Sequence, residues 1–578
     1  MSSSVNPVQH LNGAPLTDEQ ERYLTGFFAG IAARGIRFSD AHHPEPAAGQ
    51  PRPGSDDLIF EERIKRELHP LDAYVQLVEG ATHNRAPDKE DVFRFKWHGL
   101  FYLTPNKEAF MARLRIPGGV VKSYQLYELA RIARELTTGY VQITTRANLQ
   151  LRLIQPQDAP EVLRRIQSAG LHTRGAGADN IRNLTANPTS GIDPHELIDV
   201  MPFCRELAQI IINERVFYDL PRKFNIAFDG GGAIGTVEDS NDIGAKAVKI
   251  GQEVAFRILV GGATGHQSFA RDLGVVVRPV ELNKVIVALV RVFIAHGNRT
   301  DRKKARLKHL LETWSLEKYL GEAEKILGYA LQRAPVASLE AGAESNGFSE
   351  SPPRHSHVGV YPQKQSGLNY IGAAVPVGQI TSRQLLRVAE LADLYGSGEI
   401  RLTVWQNFIL PNVPDAYVET ARKALQKLGF ETKGSPLRNG VIACTGNSYC
   451  KFAQTNTKAH ALELMGYLEK RLSLEQPINI HLTGCPNSCA QHYMGDIGLL
   501  GVRRKGEEAY HVFVGGGFGK HQGVGRQIFS SIPVGELPHT LENMLKGYLR
   551  RCQPGESFQQ FTRRHDLNTL QAIFSNAE

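Results

Sequence analysis

The sequence predicts an α+β protein whose body is built twice and folds with pseudo-two-fold symmetry. Three observations predict it: an internal repeat, the same strand–helix order in both copies, and a breaker-rich stretch between them. Shifted by 259 residues, Ile116–Thr173 overlays Val375–Thr432 without a gap. Pro117 meets Pro376, Gly119 meets Gly378, Ser123 meets Ser382 and Gln125 meets Gln384. Thr144, Asn148 and Gly170 meet Thr403, Asn407 and Gly429. Prolines and glycines fix turns, so their agreement at one offset marks a repeated local structure. The stretch AGAESNGFSESPPRHS, Ala341 to Ser356, reads as the linker between the halves.

Each copy reads as a βαββα unit. Residues before Pro117 alternate as a strand through Leu114 and Ile116. Ser123 and Ser382 suit helix N-caps. Apolar residues then recur at helical spacing, at Leu126, Leu129, Ala130 and Ala133 and at Leu385, Val388, Ala389 and Ala392. Two strands follow in each copy, YVQITTR with LQLRLI and EIRLTVW with NFILPNV. The closing helices, APEVLRRIQSAG and AYVETARKALQKLG, end at Gly170 and Gly429. Upstream, Leu16–Arg37 reads as a helix. His42–Asp57, rich in Pro and Gly, reads as a linker or extended arm, and His42 and His43 in it read as solvated.

The chain has 578 residues, 42% hydrophobic and 22% charged, which suits a folded protein of three or four domains. Lys and Arg number 67 against 59 Asp and Glu, a net charge of +8 that favours an anionic partner or ligand. A basic nucleic-acid binder would rest on that charge alone, since no recognised nucleic-acid motif is present. The most apolar run, Val285–Ala295, is broken by Arg291 and is too short to cross a bilayer. The N-terminus lacks a basic-then-apolar leader, and neither end fits a lipidation pattern, so the expected location is cytoplasmic.

Four of the six cysteines lie between Cys444 and Cys489, as Cys444-x5-Cys450 and Cys485-x3-Cys489. Thiolates are soft ligands for zinc or for iron–sulfur clusters. The five-residue gap in CTGNSYC is wider than the commonest zinc knuckle, and four Cys ligands are the norm for a [4Fe–4S] cube. Zinc, a cluster and four unrelated buried thiols all remain open on spacing alone. The two copies also differ in charge. Arg113, Arg115, Arg146 and Arg152 face Gly372, Ala374, Trp405 and Pro411 at the same offset. Duplication followed by division of labour is the economical reading: one half grips an anion and the other holds a metal. The pattern Gly230-x-Gly232-x-x-Gly235 matches a bare dinucleotide motif, but TVEDSNDIG follows and opens no amphipathic helix, so it reads as a glycine-rich turn.

The segments ACTGNSYC and HLTGCPNSCAQHYMGDIGLLG closely resemble the ferredoxin-type nitrite and sulfite reductases, which contain sirohaem and a [4Fe–4S] cluster. The resemblance spans roughly residues 90–555 and includes RLRIPGG, TTRANLQLR, ADNIRN, NPTSGIDPHELID, LPRKFN, LVGGATG and HGNRTDRKKAR, in order. It implies two ferredoxin-like half-domains, 93–173 and 357–433. A sirohaem-binding domain at 174–340 and a [4Fe–4S]/sirohaem domain at 434–578 accompany them, after an N-terminal arm with helices at 1–92 and around the 341–356 linker. It implies that Cys444, Cys450, Cys485 and Cys489 hold the cube and that Cys489 also bridges to the sirohaem iron.

Sirohaem carries eight carboxylates, and Arg pairs best with such groups. The resemblance implies that Arg113, Arg182 and Lys223 line the open face of the iron, and that Arg146 and Arg306 pair with sirohaem carboxylates. Sulfite reductases of this family resemble LPRKFK at 220–225, whereas this chain has LPRKFN. Asn225 therefore points to nitrite, a monoanion, over sulfite, which is largely a dianion near neutral pH. The resemblance implies an assimilatory nitrite reductase, a monomer making ammonium with six electrons. No flavin or nicotinamide domain is apparent, so the electrons would come from a separate ferredoxin or flavodoxin. The alternatives are sulfite reduction on the same cofactors, or a sirohaem–cluster protein kept as a redox sensor or electron carrier.

Overall fold

The computed structural model describes residues 10–11, 14–15, 18, 58–102, 108–334 and 357–575. The expected helix over Leu16–Arg37 (Asp18 apart), the arm over His42–Asp57 and the linker over Ala341–Ser356 lie outside the described residues. The chain divides into two units, Met1–Arg52 and Pro53–Glu578. In the first, His10–Leu11 pairs antiparallel with Ala14–Pro15. The second carries everything that follows.

Three helices lead in, Phe60–Glu67, Tyr74–Thr82 and Lys89–Arg94. The third is capped by Asp88, whose carboxylate accepts from Glu90 N at 2.9 Å and Asp91 N at 2.8 Å. A single turn, Phe95–His98, follows and ends at Gly99, which adopts φ 76°.

The expected βαββα units are present, with one change that the repeat does not reveal. Strand Val120–Lys122 of the first copy leaves its own sheet and pairs with Glu399–Leu402 of the second. Its counterpart Gln379–Thr381 pairs with Tyr140–Ile143 of the first. The exchange is reciprocal to the residue: Val121 faces Ile400 and Ile380 faces Val141, and Val121 and Ile380 are fully buried. Ser123 N donates to Gly398 O at 2.9 Å, and Ser382 N donates to Gly139 O at 2.7 Å, the same bond seen from each side. Lys122 and Glu399 add an ion pair across the seam. Two five-stranded sheets result, and helices Ser123–Leu136 and Ser382–Tyr395 pack on each other over them. One hydrophobic core serves both copies.

The exchange also shifts the helix caps. Ser123 and Ser382 are the first helical residues, and the caps are Lys122 and Thr381. Thr381 Oγ1 accepts from Gln384 N at 3.2 Å, and Gln384 Oε1 accepts from Thr381 N at 2.9 Å. In the first copy Gln125 Oε1 accepts from Lys122 N at 3.0 Å.

A six-stranded and a further five-stranded sheet flank this body, and they form a second duplication. Ile226–Asp229, Ile243–Ile250 and Glu253–Val260 match Ile480–Thr483, Ile497–Arg504 and Glu507–Val514 in order, direction and register. The offset is now 254 residues. Asp242-Ile243-Gly244 opens one hairpin and Asp496-Ile497-Gly498 the other. Asp242 Oδ2 accepts from Asn225 N at 2.8 Å, and Asp496 Oδ2 accepts from Asn479 N at 2.8 Å. Each sheet is backed by a fifteen-residue helix, Leu282–His296 or Leu537–Arg551, and has its own core.

Because each half-domain sheet contains a strand of the other copy, neither half should fold alone. A specific protease site inserted between residues 341 and 356 should, once cut, leave a single particle in gel filtration that separates only in denaturant. Two fragments eluting apart under native conditions would contradict the exchange.

Candidate active site

Two cysteine loops and three cation-bearing segments meet where the copies face each other. The first holds Cys444 and Cys450, at the end of strand Val441–Ala443. Cys444 N donates to Leu482 O at 3.0 Å, and Cys450 N donates to Gly446 O at 3.1 Å. Gly446, at φ +72°, lies so close to Thr457 that a Cβ there would stand 2.8 Å from Thr457 N. The second loop holds Cys485 and Cys489 after strand Ile480–Thr483. Gly484 N donates to Cys444 Sγ at 3.2 Å and ties the two loops together. Ser488, at φ 51°, turns the chain between the cysteines, and its hydroxyl bonds His492 Nδ1 at 3.0 Å.

The structure brings all four motif cysteines into one electrostatic group. Burial raises the Cys489 thiol to about 12, and Cys444, Cys485 and Cys450 add to the rise while Lys223 opposes it. Cys489 keeps an accessible surface although protein surrounds it, so it opens onto an internal cleft rather than bulk solvent. The first copy reaches it directly, as Thr145 Oγ1 donates to Cys489 O at 2.9 Å. Cys204 is buried in the first large core and Cys552 packs on the second, both away from the motif. Among the described residues no three His, Cys, Asp or Glu side chains converge closely enough to hold a single metal ion.

The cations come from the end of one strand and from two further segments. Arg113 ends strand Phe110–Arg113, lies over the Phe101 ring at 4.4 Å and donates to Ala176 O at 3.4 Å. Arg182 donates to the same carbonyl at 3.2 Å and to Ala178 O at 2.7 Å. Arg182 N donates to Phe224 O at 2.8 Å, which sets residues 180–182 beside 223–225. Phe224 is fully buried, so Lys223 and Asn225, one residue to either side, project on the opposite face. Burial, with Arg306 and Arg182 beside it, lowers Lys223 to about 7, and Cys489 opposes that fall. Arg113 is lowered by burial and sustained by Cys489 and Cys450, so cations and thiols share one enclosure. Lys223 has no hydrogen bond or ion pair among the described residues.

The other expected cations are more occupied. Arg146 donates to Asn183 O at 3.1 and 2.6 Å, Ile226 O at 3.2 Å and Asn241 Oδ1 at 2.8 Å. Four of its five N–H groups are thus engaged. Arg306, 5% exposed, forms a two-pronged pair with Asp242 at 3.2 and 2.8 Å. That pair sits directly under Asn225, whose N–H shares Asp242.

Sequence reasoning missed three cations here. In the sequence Arg152 reads as a charge difference between the copies and not as a site residue. It donates to Gln142, Gln150 and Thr445, each at 2.6 Å, and feels Cys450 and Cys444. Lys458, in helix Thr457–Leu468, donates to Val377 O, and burial lowers it to about 7. Arg222 stands 3.7 Å from the buried Asp179. For Arg152 the signal was in hand, as an Arg facing Pro411 at the repeat offset. Lys458 had none.

The second duplication explains why only one half holds thiols. Asn187 and Asp193 follow strand Thr185–Ala186 as Cys444 and Cys450 follow Val441–Ala443, six residues apart in both. Gly231 and Gly235 likewise stand where Cys485 and Cys489 stand. Gly230 N donates to Asn187 Oδ1 at 2.7 Å, the counterpart of the Gly484–Cys444 bond. Asp193 accepts from Thr189 Oγ1 and Ala233 N, both at 2.8 Å, and from His195 N at 2.9 Å. The glycine turn that mimicked a dinucleotide motif is the thiol loop's counterpart, closed by hydrogen bonds.

Fold and site together define a duplicated protein in which one half presents a thiol group and the other an enclosed cationic cleft. The model of the nitrite and sulphite reductase 4Fe-4S domain matches residues 177–330 and 434–572, and that of the nitrite/sulfite reductase ferredoxin-like half domain matches 103–169 and 361–428. The chain belongs to the nitrite and sulphite reductase family. The ferredoxin–nitrite reductase of Synechococcus elongatus is 36% identical over 464 residues, covering 78% of this chain and 88% of that protein. The assimilatory ferredoxin-dependent nitrite reductase of Haloferax mediterranei is 33% identical, covering 81% and 84%. The NirA protein of Mycobacterium tuberculosis superposes with a TM-score of 0.81 at 28% identity, over 89% of this chain and 97% of that one. The duplicated α+β fold expected from the sequence is the fold of this family.

The Asp242–Arg306 pair yields a stability prediction. Asp242→Ala leaves a buried guanidinium unpaired and should cost about 3–5 kcal/mol, whereas Asp242→Asn keeps an acceptor for Asn225 N and should cost less. Thermal unfolding checks both. An Ala variant melting with wild type would mean the pair does not hold this floor.

Proposed function

We propose that the chain reduces nitrite to ammonium with six electrons, using a sirohaem joined to a [4Fe–4S] cluster. Ferredoxin or flavodoxin would supply the electrons singly, in the cytoplasm, to a monomer. One observation carries the reading: four grouped thiols stand beside Arg113 and Lys223, and Arg182 stands beside Lys223. The names of the relatives support nitrite and ferredoxin. An electron carrier or redox sensor has no use for such cations, and their presence favours catalysis.

The donor set fits the cofactors. Cys444, Cys450, Cys485 and Cys489 would hold the cluster, with Cys489 shared with the sirohaem. Gly484 N already donates to Cys444 Sγ, and the Asn487 backbone N–H to Cys485, so both sulfurs meet backbone donors. Arg152 and Lys458 add positive charge beside them. Arg146 keeps one N–H, and Arg306 keeps its Nη1, for sirohaem carboxylates. When bound, the cluster and sirohaem supply electrons and the iron on which the substrate nitrogen is reduced.

The chain's own residues do the rest. Arg113, Arg182 and Lys223 draw the anion into a site where charge interactions exceed their strength in water. Their N–H groups donate to the nitrite oxygens and stabilise charge as those oxygens leave as water. Asn225 adds a neutral amide on the same face as Lys223, which can hydrogen-bond nitrite without adding charge.

The anaerobically purified protein should show a chlorin-like red absorption band and about four sulfides per chain. Cys489→Ser should lose or uncouple both centres, while Cys204→Ser and Cys552→Ser keep them. A normal spectrum in Cys489→Ser would overturn the shared-ligand assignment, and a wild type without the red band would overturn the function.

Substrate choice has its own test. Asn225→Lys adds a cation to the anion site and should favour the more highly charged sulfite. An effect of roughly 1 kcal/mol would move the sulfite-to-nitrite ratio of kcat/KM about five-fold. Wild type should prefer nitrite strongly with reduced viologen as donor. An unchanged ratio would remove Asn225 from substrate choice.

A further inference from the structure

We infer that the helical segment ahead of the first repeat completes the anion site, and that Lys96 is its outer cation, governing how tightly nitrite is held rather than how fast it is reduced. The inference rests on the function proposed above.

Lys96 lies in the turn Phe95–His98, and that turn is fixed. Trp97 is fully buried and donates from Nε1 to Tyr218 O at 2.8 Å, while Gly175 N donates to Trp97 O at 2.6 Å. Gly177 abuts Lys96 so closely that a Cβ there would stand 2.6 Å from Lys96 O and 3.0 Å from Lys96 Cβ. Gly177 lies between Ala176 and Ala178, whose carbonyls hold Arg113 and Arg182. The backbone that aims the two arginines therefore rests on Lys96.

The Lys96 ammonium lies over the Phe93 ring at 5.2 Å, and Arg302 lies over the same ring at 5.5 Å. Among the described residues it has no hydrogen bond and no ion pair. The nearby carboxylate, Asp179, is taken in two-pronged fashion by Arg302 at 2.8 and 2.9 Å. The other charges that Lys96 feels are all positive: Arg302, Lys451 and Arg182. Burial and these neighbours lower it to about 8. A rigid turn that holds a half-buried ammonium among cations is costly unless an anion visits. Lys451 is exposed on the Cys450 loop and Arg182 lies in the cleft, and half-buried Lys96 is within electrostatic reach of both.

The test is a nitrite titration of the as-isolated holoenzyme, read from its visible spectrum as a dissociation constant, for wild type, Lys96→Gln and Lys96→Arg. Lys96→Gln should weaken nitrite binding about five-fold or more, the scale of one charge contact in a partly screened site. Lys96→Arg should stay near wild type. Carbon monoxide, an uncharged iron ligand, should bind all three reduced proteins alike, and kcat at saturating nitrite should hold. Equal nitrite affinity in Lys96→Gln and wild type would overturn the inference and leave the function standing. Parallel loss of carbon monoxide binding would overturn it too, by showing a merely structural role. A wild type whose spectrum ignores nitrite would overturn the function, and this inference with it.

Discussion

The site depends on the exchange of strands Val120–Lys122 and Gln379–Thr381 between the two half-domains. Each strand is only three residues long, yet each closes a sheet belonging to the other copy. The Val121 and Ile380 side chains are buried, and the serine N–H groups at 123 and 382 bond across the seam. The exchanged strands run straight into helices Ser123–Leu136 and Ser382–Tyr395, so they also fix how those helices pack. Sharing one core, the copies cannot shift relative to one another without opening it. This rigidity lets Thr145, from one copy, bond the backbone of Cys489, from the region after the other.

Electrostatics sets the second constraint. Arg113, Arg182, Arg222 and Lys223 are enclosed together, with Asp179 facing Arg182 and Arg222 and Arg302 already upon it. Burial lowers every one of the four, and neighbouring cations add to it at Arg182, Arg222 and Lys223. The folded chain is thus strained toward binding negative charge. The thiols are the complement: deprotonated, they raise Arg113 and Lys223 again. Anionic cofactors and substrate would stabilise this fold by mass action, since a ligand that binds only the native state adds to its stability.

Much of this was legible in the sequence, and the reasons for the rest are physical. The first duplication was readable because Pro117, Gly119, Asn148 and Gly170 do backbone work that few other residues can do. The strand exchange was not, because a strand paired at home and one paired next door have the same alternation of buried and exposed residues. The caps fell one residue early for the same reason: the serine N–H groups were needed across the seam. The second duplication hid because its offset is 254 and not 259, and because its thiol positions hold Asn187, Asp193, Gly231 and Gly235 in the other copy. The four cysteines form one electrostatic group, with Arg113 and Lys223 beside Cys489 and Arg182 beside Lys223. Lys96, Arg222 and Lys458 could not be ranked, since a buried or half-buried Lys or Arg looks in sequence like any solvated one.

The two equivalent loops show what division of labour requires chemically. Gly230 N and Gly484 N are the same donor in the same register, one pointing at an amide oxygen and the other at sulfur. In the first half Asn187 also reaches Asp229 at 2.9 Å and Ile234 O at 2.8 Å, and Asp193 takes two donors of its own loop and one, Ala233 N, of the glycine turn. Every polar group that would face a metal is spent inside the protein. In the second half the corresponding sulfurs make weaker and fewer bonds, leaving their lone pairs for a ligand. A backbone that closes on itself through oxygen and nitrogen is a scaffold, and the same backbone carrying thiols is a ligand set. The first half, freed from holding metal, could then place its arginines on the cleft between them.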